Sequence, residues 1–139
     1  MKLNHVYKTF YPDTPKEVKA LSDINLTFDK GEFTTLSGES GSGKTTLLNI
    51  IGGLDSATSG EIFFEGEEIT AYSEEKMAKL RLHDIGFIFQ AYNLIHVLTV
   101  RENIGFIMKL LKFDKQEIDA RIMELASILQ IEDILAKLP

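Results

Sequence analysis

The 139-residue sequence has no cysteine, no tryptophan and only three prolines. Without cysteine, the chain cannot use disulfide bonds, cysteine-ligated zinc or a thiol nucleophile. It also lacks the run of about 18 apolar residues that identifies a membrane-spanning helix. Its first residues, Met1–His5, contain no apolar segment typical of a signal peptide. These absences favour a soluble, cytosolic domain.

Positive charge is in short supply. Fifteen lysines and arginines stand against 21 aspartates and glutamates, which gives a net charge of -6. An acidic chain without clustered cations is poorly suited to bind the phosphate backbone of nucleic acids or anionic lipid surfaces. We therefore expect no nucleic-acid partner. The 44% hydrophobic and 26% charged residues are ordinary for a globular domain with its own core.

Apolar periodicity and turn residues predict the order of the elements. Strands are predicted over residues 3–8, 18–28, 32–37 and 85–89, with a hairpin over 61–69 around Gly66. Helices are predicted from Lys44 to Ile51, from the cap Ser73 to about Leu82, from the capping box Thr99/Glu102 to about Leu111, and after the cap Asp114. In the last helix Ile118, Ile122, Leu125 and Leu129 are predicted to share one apolar face. This order predicts an α/β core with an antiparallel addition and a helical tail.

One segment carries a specific chemical signal. Residues 38–45, GESGSGKT, match every fixed position of the phosphate-binding pattern G-x-x-x-x-G-K-[ST]. The glycines let successive backbone N–H groups turn toward one point, and the following helix N-terminus adds donors for anionic oxygens. Lys44 supplies a cation for the β- and γ-phosphates, and the Thr45 hydroxyl is suited to Mg²⁺. The sequence therefore predicts a nucleotide site formed by Gly38, Glu39, Ser40, Gly41, Ser42, Gly43, Lys44, Thr45 and Thr46.

Two other positions are weaker candidates. Tyr11 offers a flat face on which an adenine ring could stack, although an aromatic residue packed under a proline turn is an equally good interpretation. Gln90 ends an apolar segment, where its amide could reach Mg²⁺ or an attacking water. From the residues alone, an ordinary glutamine at the end of a strand is the favoured interpretation.

Several segments, taken in order, resemble the ATP-binding subunits of ABC transporters. They are Val18–Leu26 with Lys30–Glu32, Gly38–Leu48, Gly53–Asp55 with Ser59–Ile62, Gly86–Gln90 (the Q-loop) and Leu98–Ile104. Within that family, Leu48–Asp55 and Gln90–Leu94 are most similar to the lipoprotein-release and macrolide-export branch. The resemblance covers roughly residues 3–110 in detail and the rest by pattern.

The resemblance implies a P-loop NTPase fold of the ABC type, with an N-terminal antiparallel β part and a partial α-helical subdomain. Residues 1–95 would form the β part and the P-loop core up to the Q-loop, and residues 96–139 the helical subdomain. It implies ATP and Mg²⁺ as cofactors, Lys44 and Gln90 as catalytic residues, and Thr45 and Gln90 as metal ligands. Tyr11 would stack on adenine, with the neighbouring Phe10 as the alternative.

The resemblance also implies partners and a location. The expected partners are a transmembrane permease subunit, which couples to Gln90, and a second ATP-binding subunit in a dimer. The expected location is cytoplasmic, peripheral on the inner face of the cell membrane. The expected function is to bind MgATP and power export, or lipoprotein or peptide translocation, through the membrane partner.

The sequence departs from the family pattern in places. Glu39 and His96 stand where the family or the branch often has proline. The family's signature motif, its Walker B aspartate with the adjacent glutamate, and its switch histidine are not recognisable. We therefore expect the N-terminal part of a single ATP-binding domain whose C-terminal half is missing. The parent protein is expected to be an ATPase, and the chain itself to be inactive in turnover.

Three other functions compete with a transporter subunit. A non-transport ABC ATPase, such as a DNA-repair factor, is disfavoured by the compact spacing from Lys44 to Gln90, the absence of cysteine and the negative charge. Another P-loop enzyme, a kinase or GTPase, is disfavoured by the flanking segments, and no N/T-K-x-D guanine-reading motif is present. A fragment that binds nucleotide without turnover is the remaining alternative.

Overall fold

The structure, a computed structural model, describes residues 1–139. They form two compact units, Met1–Phe87 and Ile88–Pro139. The first unit holds a β-sheet and two α-helices, and the second holds two α-helices and a short 3-10 turn. The boundary between the units precedes residue 95, where the resemblance places the end of the β part and P-loop core.

The sheet of the first unit is entirely antiparallel. Its strands β1 (Lys2–Phe10), β2 (Val18–Thr27), β3 (Ser59–Phe64) and β4 (Glu67–Glu68) lie in the order β2-β1-β3-β4. Glu65 and Gly66, at φ 49° and 87°, form the two-residue turn between β3 and β4. Left-handed residues at both positions of such a turn match the twist of the flanking strands. The predicted strands over 3–8 and 18–28 and the hairpin around Gly66 are confirmed.

Two helices follow the predicted pattern in this unit, α1 (Lys44–Ile51) and α2 (Glu74–Asp84). Leu47 and Ile50 of α1 are buried with Leu3 and Val6 of β1 and Leu21 of β2. Burying each such aliphatic side chain contributes about 1.5–3 kcal/mol relative to leaving it exposed. The core therefore fixes α1 against the sheet and, with it, the loop that precedes α1.

Two predicted strands are wrong. Residues 32–37 and 85–89 have no regular secondary structure, and the sheet contains only β1 to β4. Residues 32–37 are rich in strand-forming types, but that preference is decided by cross-strand neighbours and burial. Neither segment joins the ladder of a neighbouring strand, and Phe33 is 92% exposed. The chain therefore reaches the phosphate-binding loop as an irregular segment outside the sheet.

The second unit is a pair of helices, α3 (Val100–Leu110) and α4 (Lys115–Leu129), followed by the 3-10 turn Glu132–Ile134. Both predicted capping residues, Thr99 and Asp114, are confirmed, each within a complete capping box. Gly105 of α3 lies against α4, where an added Cβ would come within 3.1 Å of both Ile118 and Ile122. None of the four α-helices of the structure has the length and apolar character that crossing a membrane requires.

The predicted apolar face of α4 is only partly buried. Ile118 and Ile122 lie in the core of the second unit with Ala126 and Leu135, whereas Leu129 is 62% exposed. The helix ends at Leu129, and Gln130 adopts a left-handed φ of 57° that turns the chain away. Periodicity places Leu129 on this face of α4, but it does not show where the helix leaves the residues that cover the face.

Candidate functional site

The phosphate-binding loop, residues 38–45, leads directly into α1. Gly43 is the N-cap residue of α1, with a left-handed φ of 90°. A Cβ at this position would lie 2.6 Å from the carbonyl oxygen of Ala20 on β2. Glycine is therefore required at this position for two reasons: the left-handed backbone conformation and the close approach of the helix to the sheet.

The N-terminus of α1 differs from those of the other three α-helices. Helices α2, α3 and α4 are each capped by a side-chain oxygen, from Ser73, Thr99 and Asp114, and each has an acidic residue in its first turn. Helix α1 has neither. Its first-turn amides have no carbonyl of their own helix to bond, and they lie at the positive end of the helix dipole. This end of α1 is suited to bind an anion.

Lys44 holds the loop together. Its ammonium donates hydrogen bonds to the carbonyl oxygens of Gly38 at 2.8 Å and Glu39 at 2.6 Å, and to the Ser42 hydroxyl at 3.3 Å. The backbone N–H of Ser42 also donates to the Glu39 carbonyl at 3.3 Å. The loop is thus curled around the Lys44 ammonium. Glu39 contributes its carbonyl here, while its side chain is exposed.

The predicted loop residues lie together at the N-terminus of α1. Lys44 and Thr46 are half-buried, whereas Ser40, Gly41 and Thr45 are exposed. No group of three or more histidine, aspartate or glutamate side chains that could hold a metal ion is formed by residues 1–139. Thr45 is the second residue of α1, and its expected role as a ligand of Mg²⁺ stays a prediction.

The aromatic candidates Phe10 and Tyr11 lie where β1 ends. Phe10 is paired with Val18 of β2, two residues from Ala20, which Gly43 closely approaches. Two residues span about 7 Å along a strand, so the aromatic pair and the loop lie at the same end of the β1–β2 hairpin. Phe10 is half-buried, and Tyr11 is 66% exposed.

The sequence reasoning missed Lys8, a buried lysine next to this pair. Its ammonium donates to the Asp55 carboxylate at 2.6 Å and to the Ser56 carbonyl at 2.8 Å, and it lies 4.9 Å from the centre of the Phe10 ring. The available signal was its place two residues after Val6 and two before Phe10, which puts all three on one face of a strand. A lysine on a buried face needs hydrogen-bond acceptors or a carboxylate, and the strand periodicity does not show which residues provide them.

Gln90 belongs to the second unit. It is exposed and lies in a bend after residues 85–89. Its expected roles, as a ligand of Mg²⁺ with Thr45 and as a catalytic residue, stay predictions.

Comparison with known proteins identifies the family. The sequence profile described as ABC transporter matches residues 21–139. The bacitracin export ATP-binding protein BceA of Halalkalibacterium halodurans is 37% identical over 139 residues, which are 100% of this chain and 54% of that protein. The lipoprotein-releasing system ATP-binding protein LolD 1 of Rhodopseudomonas palustris is 45% identical over 104 residues, which are 75% of this chain and 46% of that protein. The chain spans about half the length of the curated relatives it matches.

Solved structures agree with the sequence matches. The ATP-binding cassette MJ0796 in a dimeric post-hydrolysis state, bound to ADP and Pi, has a TM-score of 0.89 and 35% identity to this chain. The match covers 99% of this chain and 61% of that one. The fold, an antiparallel sheet with helices, is therefore P-loop NTPase-like, as expected from the sequence. The chain belongs to the ABC transporter family.

Proposed function

We propose that residues 38–46 bind the phosphates of MgATP, and that the chain acts as part of the ATP-binding subunit of a transporter. The observation that carries this proposal is the pairing of an uncapped helix N-terminus with Lys44 folded over the same loop. A polyphosphate offers the anionic oxygens for which both groups are suited. Hydrogen bonds to charged groups contribute about 1.5–3 kcal/mol each, so the first-turn amides and the ammonium together would favour phosphate binding.

Binding of the nucleotide would change the hydrogen-bond acceptors of the Lys44 ammonium. In the structure the Lys44 ammonium bonds carbonyl oxygens of its own loop. Phosphate oxygens would replace those neutral acceptors with charged ones, which form the stronger bonds with an ammonium. The Thr45 hydroxyl would hold Mg²⁺, which neutralises phosphate charge. The amides of the first turn of α1 would orient the phosphates without moving, because the core fixes α1 against the sheet.

The adenine ring is proposed to stack at the end of β1. Tyr11 is the more exposed ring, but Phe10 shares a face of β1 with Lys8, which bonds the loop that follows α1. Phe10 is therefore on the side of the sheet that carries α1. This geometry favours Phe10 over Tyr11 as the stacking residue, and substitution at each position separates the two.

The wider role is proposed from the relatives. Proteins named for bacitracin export and lipoprotein release are among them, which supports export or lipoprotein or peptide translocation. A putative hemin import ATP-binding protein of Staphylococcus haemolyticus, 46% identical over 109 residues, supports the opposite direction as the alternative. We propose a transmembrane permease as the partner, with Gln90 as the coupling contact, a second ATP-binding subunit, and a cytoplasmic site on the inner face of the cell membrane.

Backbone amide NMR of the ¹⁵N-labelled chain tests the binding site. Addition of MgATP is expected to shift the amide signals of residues 38–46 at concentrations that leave the signals of α3 and α4 in place. Shifts confined to residues outside the loop and β1 would contradict the proposal. Titration with MgADP and with magnesium chloride alone separates nucleotide binding from an effect of the cation.

A further inference from the structure

Lys8 joins two parts of the first unit that are far apart in sequence. It lies on β1, and its Asp55 and Ser56 partners follow α1, 47 and 48 residues later. Its side chain is only 11% exposed, and that of Asp55 is 30% exposed. The same ammonium lies over the Phe10 ring, 4.9 Å from its centre. One cation therefore contacts both the aromatic end of β1 and the segment after the phosphate-binding helix.

Asp55 is itself tied to α1. The Asp55 N–H donates to the carbonyl oxygen of Asn49, within the helix, at 3.2 Å. The Asp55 carboxylate also accepts from the N–H of Ser56 at 2.8 Å. The carboxylate that receives Lys8 is thus oriented from the last turns of the helix whose first residue is Lys44. A connected path runs from Phe10 through Lys8 and Asp55 to α1.

Stability alone is a weak reason for this arrangement. Taking an ammonium and a carboxylate out of water costs several kcal/mol, and apolar replacements of similar volume are often neutral or stabilising. Other bonds already fasten the end of β1 to the same segment, because Thr58 donates its N–H to the Tyr7 carbonyl at 2.8 Å and accepts from the Thr9 N–H at 2.9 Å. Those bonds hold the backbone. What Lys8 adds is a fixed cation against the Phe10 ring.

We propose that Lys8 is a positioning residue for the nucleotide base: it fixes the Phe10 ring relative to α1 and so sets the spacing between base and phosphates. This inference rests on the proposed function. It assigns Lys8 no contact with the phosphates, which Lys44 and the helix amides bind. Loss of Lys8 should therefore reduce the contribution of the adenine to binding and leave the contribution of the phosphates unchanged.

The test compares MgATP with magnesium tripolyphosphate, which has phosphates and no base. Isothermal titration of the chain with each ligand gives the ratio of their affinities. Aromatic stacking contributes about 0.5–1.5 kcal/mol, so Lys8→Met should lower the affinity for MgATP about twofold to tenfold. Its affinity for tripolyphosphate should match that of the unsubstituted chain. Lys8→Arg keeps a cation for both the carboxylate and the ring, and should restore the ratio.

Lys19→Met is the matched control. Lys19 lies opposite Thr9 on β2, and its side chain is 71% exposed. The Lys19→Met substitution removes one positive charge from the same end of the hairpin, and it should leave the ratio of the two affinities unchanged. A fall in the ratio with Lys19→Met as large as that with Lys8→Met would show a general charge effect and overturn the inference.

Other outcomes separate the inference from the proposed function. An unchanged affinity ratio in Lys8→Met, or an equal loss of affinity for both ligands, would overturn the role of Lys8. MgATP binding by the unsubstituted chain would still stand. Binding of neither ligand by the unsubstituted chain would overturn the proposed function itself. If circular dichroism shows that Lys8→Met does not fold, Asp55→Asn serves instead, because it keeps an oxygen acceptor for Lys8. A smaller fall in the ratio is then expected, and an unchanged ratio overturns the inference.

Discussion

The Lys44 ammonium donates to the carbonyl oxygen of Gly38 at 2.8 Å, and this bond closes the phosphate-binding loop on itself. The two residues are six positions apart, at the two ends of the loop. An ammonium that bonds neutral carbonyls at an uncapped helix N-terminus is ready to exchange them for charged acceptors. The bond therefore ties together the two ends of the loop that we propose as the phosphate site.

Gly43→Ala should destabilise the first unit because the new Cβ would meet the Ala20 carbonyl of β2 at 2.6 Å. The left-handed φ of 90° adds about 1–2 kcal/mol of backbone strain for a residue with a Cβ. Gly41→Ala is the control, since Gly41 has a similar φ of 82° and nothing within 4 Å of the added Cβ. Thermal unfolding should show a larger fall in melting temperature for Gly43→Ala. Equal falls would mean that contact with β2 is unimportant.

Stability of the second unit should depend on pH through Glu102. Hydrogen bonds from the backbone N–H of Thr99 and then from its hydroxyl lower the pKa of Glu102 from its ordinary value of 4.5. A carboxyl whose pKa is lower in the folded state stabilises that state fully above the ordinary value, and the contribution is lost as the pH falls through the folded pKa. Denaturant unfolding between pH 7 and pH 3 should therefore show a smaller pH dependence for Glu102→Gln. Identical pH profiles for the two chains would contradict the capping role.

Phe10→Leu should weaken MgATP binding more than Tyr11→Leu does. Phe10 shares a face of β1 with Lys8, which contacts the segment following α1, whereas Tyr11 is largely exposed beyond the strand. Leucine keeps apolar volume and removes the flat face that a base stacks on. Titration with MgATP and with magnesium tripolyphosphate should show the loss for MgATP alone. A larger loss for Tyr11→Leu would return the stacking role to Tyr11.

Gln90→Ala, made in a complete subunit with its membrane partner, should spare ATP affinity more than transport-coupled hydrolysis. Gln90 lies exposed in a loop between regular elements, a position suited to pass a conformational signal. ATP affinity and permease-stimulated phosphate release are measured on the same preparation. Loss of ATP affinity with permease-stimulated hydrolysis intact would mean that Gln90 only contacts the nucleotide or its Mg²⁺ and has no coupling role.

The parts of the fold that the sequence predicts well are those encoded by neighbouring residues. The cap of α3 depends on Thr99 and Glu102, three positions apart, and the hairpin depends on the turn at Glu65 and Gly66. The phosphate-binding loop is local in the same sense, because its chemistry is confined to residues 38–45. Each of these signals depends only on residues that lie within a few positions of one another in the sequence.

The parts that it predicts poorly depend on distant contacts. Residues 32–37 carry strand-forming side chains, yet they form no strand, because a strand also needs a neighbour to pair with. The burial of Lys8 follows from Asp55, 47 residues away, which no local pattern indicates. The exposure of Leu129 follows from the place where α4 ends.

Titration of MgATP into the unsubstituted chain, Lys44→Ala and Glu39→Ala tests the central claim most directly. In the proposed site, Lys44 would offer a side-chain charge to the phosphates, whereas Glu39 contributes its backbone carbonyl to the loop. With a fluorescent ATP analogue, Lys44→Ala should weaken binding by about tenfold or more, the equivalent of one charge-assisted hydrogen bond. Glu39→Ala should stay within about twofold of the unsubstituted chain, since it changes no phosphate-binding group. Equal affinities for the unsubstituted chain and Lys44→Ala would contradict the assignment of residues 38–46 as the nucleotide site.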